Sequence, residues 1–291
     1  MCALRLQFTA LGYDLYDDNR CVTVYRASEI LPRTESPKPC FAPIFTPAGK
    51  LITEYRPADH LWHTGLYFGW VHVNDANLWG GAWYLPETGK YEQVENSHGL
   101  QRHDAFPAAR STGEEATVTE TLTWLDQEDR PMVHETRCYV FTKWKEPAGY
   151  LWQIDVQLTP IVPEVRMGAS KAARYSGLVL RMGPPFSDAT HRSSEGLDGH
   201  EAIMGQRARW VSADGASGGQ VVMMDHPANP RHPISWFTRR NLLGAGLLMD
   251  GPLTLTPEAG LRLRYGFGVF DDPLGSAATE ALYQSYVDRV G

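Results

Sequence analysis

The alternation of apolar and polar positions is clearest between residues 116 and 160. Val118, Leu122 and Trp124 alternate with Thr117, Thr119, Thr121 and Thr123, a period of two that fits a half-buried strand. A turn cluster over 126–131 leads into a second strand, 133–142, with Tyr139 and Phe141 on one face. The chain turns again over 145–149, at Pro147. Trp152, Ile154, Val156 and Leu158 then alternate with Gln153, Asp155 and Gln157. Three strands joined by short turns predict an antiparallel meander. The same pattern predicts strands over 65–73, 175–182, 208–212, 220–225 and 261–270, separated by loops rich in Gly and Pro.

Helical periodicity is nearly absent. Over 277–290, Ala278, Leu282 and Tyr286 recur every four residues, which predicts a C-terminal helix with Ser276 as its N-cap. Many strands without alternating helices predict an all-β fold, a large antiparallel β-sandwich. No repeat, linker or shift in composition divides the chain, so one domain over 1–291 is expected.

Composition agrees with a packed β protein. The chain is 43% hydrophobic and 11% aromatic, with 27 Gly and 20 Pro. This is neither a disordered chain nor a fibrous one. Twenty-seven basic against 34 acidic residues leave a net charge of −7. Basic residues are scattered apart from Arg239-Arg240, so nucleic acid is not an expected partner. No apolar run is long enough to span a bilayer, and residues 1–10 do not read as a signal peptide. Cys2, Cys21, Cys40 and Cys138 are widely spaced, as expected of reduced thiols in the cytoplasm.

Two segments carry candidate chemistry. In the first, Asp59-His60-x-x-His63 precedes an aromatic strand, and Trp79 and Trp83 follow it. Two histidines three apart converge on one ligand if the backbone turns between them. Imidazole suits proton transfer near neutral pH, and it also suits metal ligation. The plain alternative is a pair bonded to loop backbone, since HxxH alone is a weak motif and no third metal ligand is fixed by spacing. The second segment, Asp225-His226-Pro-Ala-Asn229-Pro-Arg-His232-Pro-Ile-Ser-Trp236, follows a strand and is stiffened by three prolines. It reads either as a preformed polar site or as a proline-rich crossover with incidental polar groups.

Several charged residues stand on strand faces. Glu120 shares a face with Val118, Leu122 and Trp124, Arg181 lies opposite Leu178 and Leu180, and Arg262 and Arg264 share a face of the last strand. Such groups are usually solvated or paired, but on a concave face they point at a ligand. His98, His191 and His200 are further candidates. No phosphate loop, dinucleotide fingerprint, serine-hydrolase elbow or HExxH occurs.

The stretches KPCFAPIFTPAGKLITEYRPADHLWHTGLYFGW, VNDANLWG, NSHG, DHPANPRHPISW and LRLRYGF together are similar to a family often labelled "methane oxygenase PmoA-like". A membrane copper enzyme needs transmembrane helices, which this chain lacks, so the resemblance does not imply methane oxidation. It spans about Pro39 to Phe270. It implies a β-sandwich related to the galactose mutarotase-like supersandwich and a place in sugar metabolism. The motif positions it carries over are His60, His63, His98, Arg181, Asp225, His226, Asn229, Trp236 and Arg264. Leu61-Trp62 occupies the place where the family commonly has proline and histidine, so a three-histidine cluster is missing.

The resulting expectation is a carbohydrate-active enzyme without cofactor or metal. It would act on a sugar or sugar derivative by acid/base epimerisation, elimination or hydrolysis. His60 or His63 is the expected acid, and Asp225, Glu120 or His226 the base. Arg181 and Arg264 would orient the substrate with His98 and Asn229, and Trp79 and Trp236 would stack on the ring. The alternatives are a non-catalytic sugar-binding protein and a metal-dependent lyase or hydrolase using His60 and His63.

Overall fold

The computed structural model describes residues 3–85, 87–168 and 176–290. Within them the chain forms two large antiparallel sheets. The eight-stranded sheet runs in the order Thr190–Ser193, Trp210–Asp214, Gln220–Asp225, Leu261–Phe270, Gly149–Pro160, Pro131–Trp144, Glu115–Leu125, Leu100–Ser111. It contains the expected meander, and Val133 pairs with both Trp124 and Pro160. The eleven-stranded sheet has the main path Leu4–Phe8, Gly12–Asp17, Arg20–Arg26, Cys40–Ile44, Leu66–Val73, Ser176–Arg181, Leu242–Ala245, Trp236–Arg239.

The period-two alternation explains how the sheets pack. Phe68, Trp70, Leu178, Leu180 and Trp236 on one sheet share a core with Val118, Trp124, Tyr139, Phe141 and Trp152 on the other. Phe41 meets Trp152 with ring centroids 5.0 Å apart, and Trp70 meets Trp124 at 5.8 Å. This is a sandwich with its apolar faces turned inward. Residues of opposite parity face outward. On the eight-stranded sheet the outward Leu151, Val222 and Met224 are covered by Leu282 and Tyr286 of the C-terminal helix, Ser276–Val290. On the eleven-stranded sheet the outward Tyr67, Val71, Val179, Phe237 and Leu242 form a third apolar cluster with Trp79. That face carries the candidate site.

Some expected boundaries shift. Trp210–Asp214 replaces 208–212. Ser176–Arg181 lies within the expected 175–182, and Tyr175 lies outside the described residues, as does Cys2. Ser276 is itself helical rather than the cap, because the carbonyl of Gly275 accepts the Thr279 N–H. Four N-terminal strands lie where no strand was expected. Irregular register at Leu15/Tyr16 and between Thr23 and Tyr25 breaks their alternation. Leu100–Ser111 was hidden for another reason. It is an end strand, mostly exposed, so burial imposes little pattern on it.

Candidate functional site

A cleft of about 510 Å³ opens on the outward face of the eleven-stranded sheet. Its floor comes from strand residues of outward parity, Arg181, Phe237, Arg239 and Leu242, and its walls from the loops that carry His60, Trp62, His63 and Trp79.

The backbone turns twice between the two histidines. His60 N–H donates to the Pro57 carbonyl at 2.9 Å, and His63 N–H donates to the His60 carbonyl at 3.0 Å. The three-residue spacing therefore brings both rings to one side, stacked with centroids 4.8 Å apart and planes 18° from parallel. Arg56 anchors the loop through a two-bond contact with the buried Glu35, at 2.8 and 2.7 Å.

Electrostatics distinguish the two rings. His60 Nδ1–H donates to Asp59 Oδ2 at 2.8 Å, which fixes the ring and leaves Nε2 for a ligand. That bond, with Arg181 Nη2 3.8 Å from Asp59, holds the Asp59 carboxyl below the usual range. His63 is buried, and its Nδ1 has no partner among the described residues. Burial, with the charges of His60 and Arg181 nearby, pushes its pKa well below that of a free imidazole. His63 is therefore neutral near pH 7. Arg181 Nε also donates to Glu54 at 3.1 Å. Arg239 lies over the Phe237 ring at 4.9 Å and has no carboxylate partner among the described residues.

The aromatic walls depend on close packing against glycine. Trp79 lies over Gly69, where a Cβ would come within 2.7 Å of its ring. Trp62 lies on Gly80 and Gly81, and a Cβ on Gly81 would meet its ring at 2.5 Å. Asn77 Oδ1 accepts from the N–H groups of Trp79 and Gly80 at 2.8 and 2.9 Å. His98 Nε2–H donates to the Gly81 carbonyl at 2.7 Å. His98 thus supports the loop from behind and does not line the cleft.

Lys38 performs a similar task below. Its buried Nζ donates to the carbonyls of Glu35, Ser36 and Trp79 at 3.0, 3.0 and 2.9 Å. Burial pushes its pKa down to about 7. Sequence reasoning missed Lys38, Phe237, Asn241 and Tyr91, all but Lys38 in the cleft lining. The available signal for Lys38 was a single ammonium in an otherwise apolar run.

The second polar segment does not reach this cleft. Asp225 is fully buried and accepts from Asn229 Nδ2, His232 Nδ1 and the Ile234 N–H at 2.7, 2.7 and 3.1 Å. Asn229 also bonds the backbone of Arg264 in both directions. His226 Nδ1 accepts the Ala228 N–H at 3.0 Å. The segment is a crossover locked by its own polar groups, so Asp225, His226 and Asn229 are not placed to act beside His60. Trp236 is 0% exposed, with its indole N–H bonded to the Ala208 carbonyl, and has no face to offer a sugar. Arg264 belongs to the other sheet, where it and Arg262 pair with Asp155. Glu120 is 0% exposed between the sheets, because its shared face with Val118 is the inward one. His191 is buried, and its ring lies 5.9 Å from that of His200.

Among the described residues no group of three His, Cys, Asp or Glu side chains is arranged to hold a metal ion. Metal–imidazole bonds lie in the ring plane at about 2.0–2.1 Å, so two parallel rings do not converge on one ion. Among the described residues no helix is long and apolar enough to cross a membrane. Cys21, Cys40 and Cys138 are free thiols.

Residues 13–284 match DUF6807, a family of unknown function, and the chain belongs to that family. The match attaches no activity, and neither the methane-oxygenase label nor a mutarotase-like fold comes with it. No curated protein matches the chain. Among solved structures, similarity extends to a GH36 alpha-galactosidase from Geobacillus stearothermophilus, in complex with stachyose, at 11% identity and a TM-score of 0.39. It also extends to a TPR-domain containing protein from Parabacteroides distasonis, at 11% identity and a TM-score of 0.33. Each alignment covers 94% of this chain, but only 41% of the galactosidase and 54% of the TPR-domain protein. At these scores neither carries an argument.

Proposed function

We propose that this member of the DUF6807 family binds a carbohydrate or carbohydrate derivative in the outward cleft and transforms it by proton transfer. One observation carries the reading: the Asp59-supported His60, stacked on the neutral His63, shares a cleft with Arg181 and with Trp62, Trp79, Tyr91 and Phe237. Aromatic faces suit the apolar face of a sugar ring, and guanidinium and amide groups suit its oxygens. His60, held by a carboxylate with Nε2 free, has the arrangement of a general acid or base. His63, neutral and adjacent, is the group able to accept a proton as His60 gives one. The Asp225 and Glu120 carboxylates are not near enough to share in the step. A pair of proton-transfer groups suits epimerisation at the anomeric centre, and elimination or hydrolysis of a keto-sugar.

The test is a turnover screen of free aldoses, uronic acids and keto-glycosides, followed by NMR so that anomer exchange, elimination and hydrolysis are all visible. Turnover that drops sharply in His60→Ala, with binding retained, supports the reading. Turnover that survives His60→Ala overturns it. Saturable binding without turnover of any sugar favours a sugar-binding protein, which the same aromatic walls would also serve.

A further inference from the structure

Arg181, Leu242 and Arg239 form one row across three neighbouring strands of the eleven-stranded sheet. Arg181 pairs with Leu242, and Leu242 pairs with Arg239. Residues directly opposite one another in a sheet share a face, and all three line the cleft. Two strand spacings, about 10 Å, separate the two arginines at the backbone. Only Arg240 and Asn241 join the strands Trp236–Arg239 and Leu242–Ala245, so a tight hairpin holds Arg239 in place.

The two cations keep different company. Arg181 is buried, with Glu54 at 3.1 Å and Asp59 at 3.8 Å, and its charge is balanced. Arg239 is exposed and has no carboxylate partner among the described residues. Its Nη1 donates to the Thr238 carbonyl at 3.2 Å, and its guanidinium lies over the Phe237 ring at 4.9 Å. Nε and Nη2 bond nothing among the described residues. That edge of a guanidinium is one that grips a carboxylate through two parallel bonds. Stacking on Phe237 sets the plane of the fork before a ligand arrives, which lowers the cost of ordering it.

An exposed arginine on a convex surface is simply solvated. This one stands on the floor of a concave site with aromatic walls, where none of the described lining residues is Asp or Glu. Beside it Asn241 lines the same cleft with a side-chain amide that makes no hydrogen bond among the described residues, a group suited to a hydroxyl. A single unbalanced guanidinium matches the single charge of a carboxylate. A phosphate ester carries nearly two charges on three oxygens and calls for more donors than one fork supplies.

We propose that the cleft selects a sugar acid, with Arg239 as the residue that binds its carboxylate. The inference rests on the reading of the cleft as a sugar site and narrows its substrate class.

The test measures binding of glucuronate and galacturonate to the full chain by calorimetry, against glucose, galactose and glucose 6-phosphate. The His60 imidazole signals, followed by NMR, report whether each ligand enters the cleft. Each uronate is expected to bind about tenfold more tightly than its neutral counterpart, the scale of one charge-assisted contact. Arg239→Gln should remove that preference by weakening the uronates alone. Arg239→Lys should keep part of it, because the charge stays and the fork is lost. Arg239 is exposed, so neither substitution disturbs the core. Equal affinity for uronates and neutral sugars, or a uronate preference that survives Arg239→Gln, overturns the inference and leaves the sugar reading standing. Tighter binding of glucose 6-phosphate than of glucuronate overturns the choice of a carboxylate. Saturable binding of none of these compounds overturns the inference together with the reading it rests on.

Discussion

His60 and His63 lie face to face, 4.8 Å between ring centroids, and only His60 has a carboxylate partner. Two stacked imidazoles resist carrying charge together. Asp59 accepts the His60 Nδ1–H, and burial keeps His63 neutral. His60→Ala should lower turnover about 10²–10⁴-fold, the usual worth of a placed proton-transfer group, with little change in binding. Asp59→Asn should cost less than His60→Ala, because the ring remains and only its orientation is lost. Steady-state rates on whichever sugar is turned over would check both, and a larger loss from Asp59→Asn would contradict this division of labour.

Gly69 leaves the space that Trp79 fills. Its backbone is ordinary, so Gly69→Ala acts through the added methyl group alone, 2.7 Å from the indole. Overpacking of this kind costs about 1–3 kcal/mol. The indole should be pushed toward the cleft, with loss of ligand binding while the chain stays folded. Equilibrium unfolding together with a binding titration separates the two effects. Unchanged binding would mean that Trp79 does not wall the ligand site.

Asp225 should matter for stability and not for the cleft. Asp225→Ala leaves Asn229, His232 and the Ile234 N–H without their common acceptor. The expected loss is about 3–5 kcal/mol, as for breaking a buried charged pair. At temperatures where the variant remains folded, its ligand affinity should match that of the parent. Chemical denaturation and a binding titration measure the two quantities, and selective loss of turnover would return Asp225 to the reaction.

Stability should fall on acidification, in part through His191. Its Nδ1–H donates to the Ala189 carbonyl, and Nε2 is buried without a partner among the described residues. Burial pushes its pKa down from 6.5 to about 4. Between those values the unfolded chain binds a proton that the folded chain does not. Stability from this group is thus complete above the unfolded value and is lost as pH falls from 6.5 to about 4. The slope is about 1.4 kcal/mol per pH unit within the window. His191→Asn keeps a donor for Ala189 and cannot titrate, so its stability should depend less steeply on pH there. Denaturant midpoints at several pH values would show this, and parallel curves would remove His191 as a cause.

Much of the fold was legible because burial on one face of a strand enforces a period of two. That alternation located the meander, the strands Gln220–Asp225 and Leu261–Phe270, and the inward and outward parity of Leu178 and Arg181. It did not say which outward face is open. Arg181 and Arg264 look alike in sequence, each a cation on a strand face. Only the packing of the sheets puts Arg181 beside His60 in a cleft and Arg264 beside Asp155 on the opposite layer. Parity likewise placed Glu120 with Val118 but could not reveal that His103, seventeen residues earlier, would be its partner. The Asp225 segment shows the same limit from the other side. A rigid loop rich in His, Asp and Asn has the composition of a site, yet Asp225, Asn229 and His232 close on one another and His226 Nδ1 closes on the loop backbone.

The turn-rich, aromatic, alternating sequence by itself determined an antiparallel sandwich and a three-residue spacing that lets His60 and His63 meet when the backbone turns between them. Both follow from interactions along one strand or within one turn, where spacing fixes geometry. The tertiary structure alone decided which of the charged and aromatic side chains share a cavity. It buried Trp236 and Glu120, put Arg181 and Arg239 on the floor of the cleft, and set Lys38 beneath Trp79. Those outcomes depend on strand order and on which sheet face is covered, and neither is encoded in any local period.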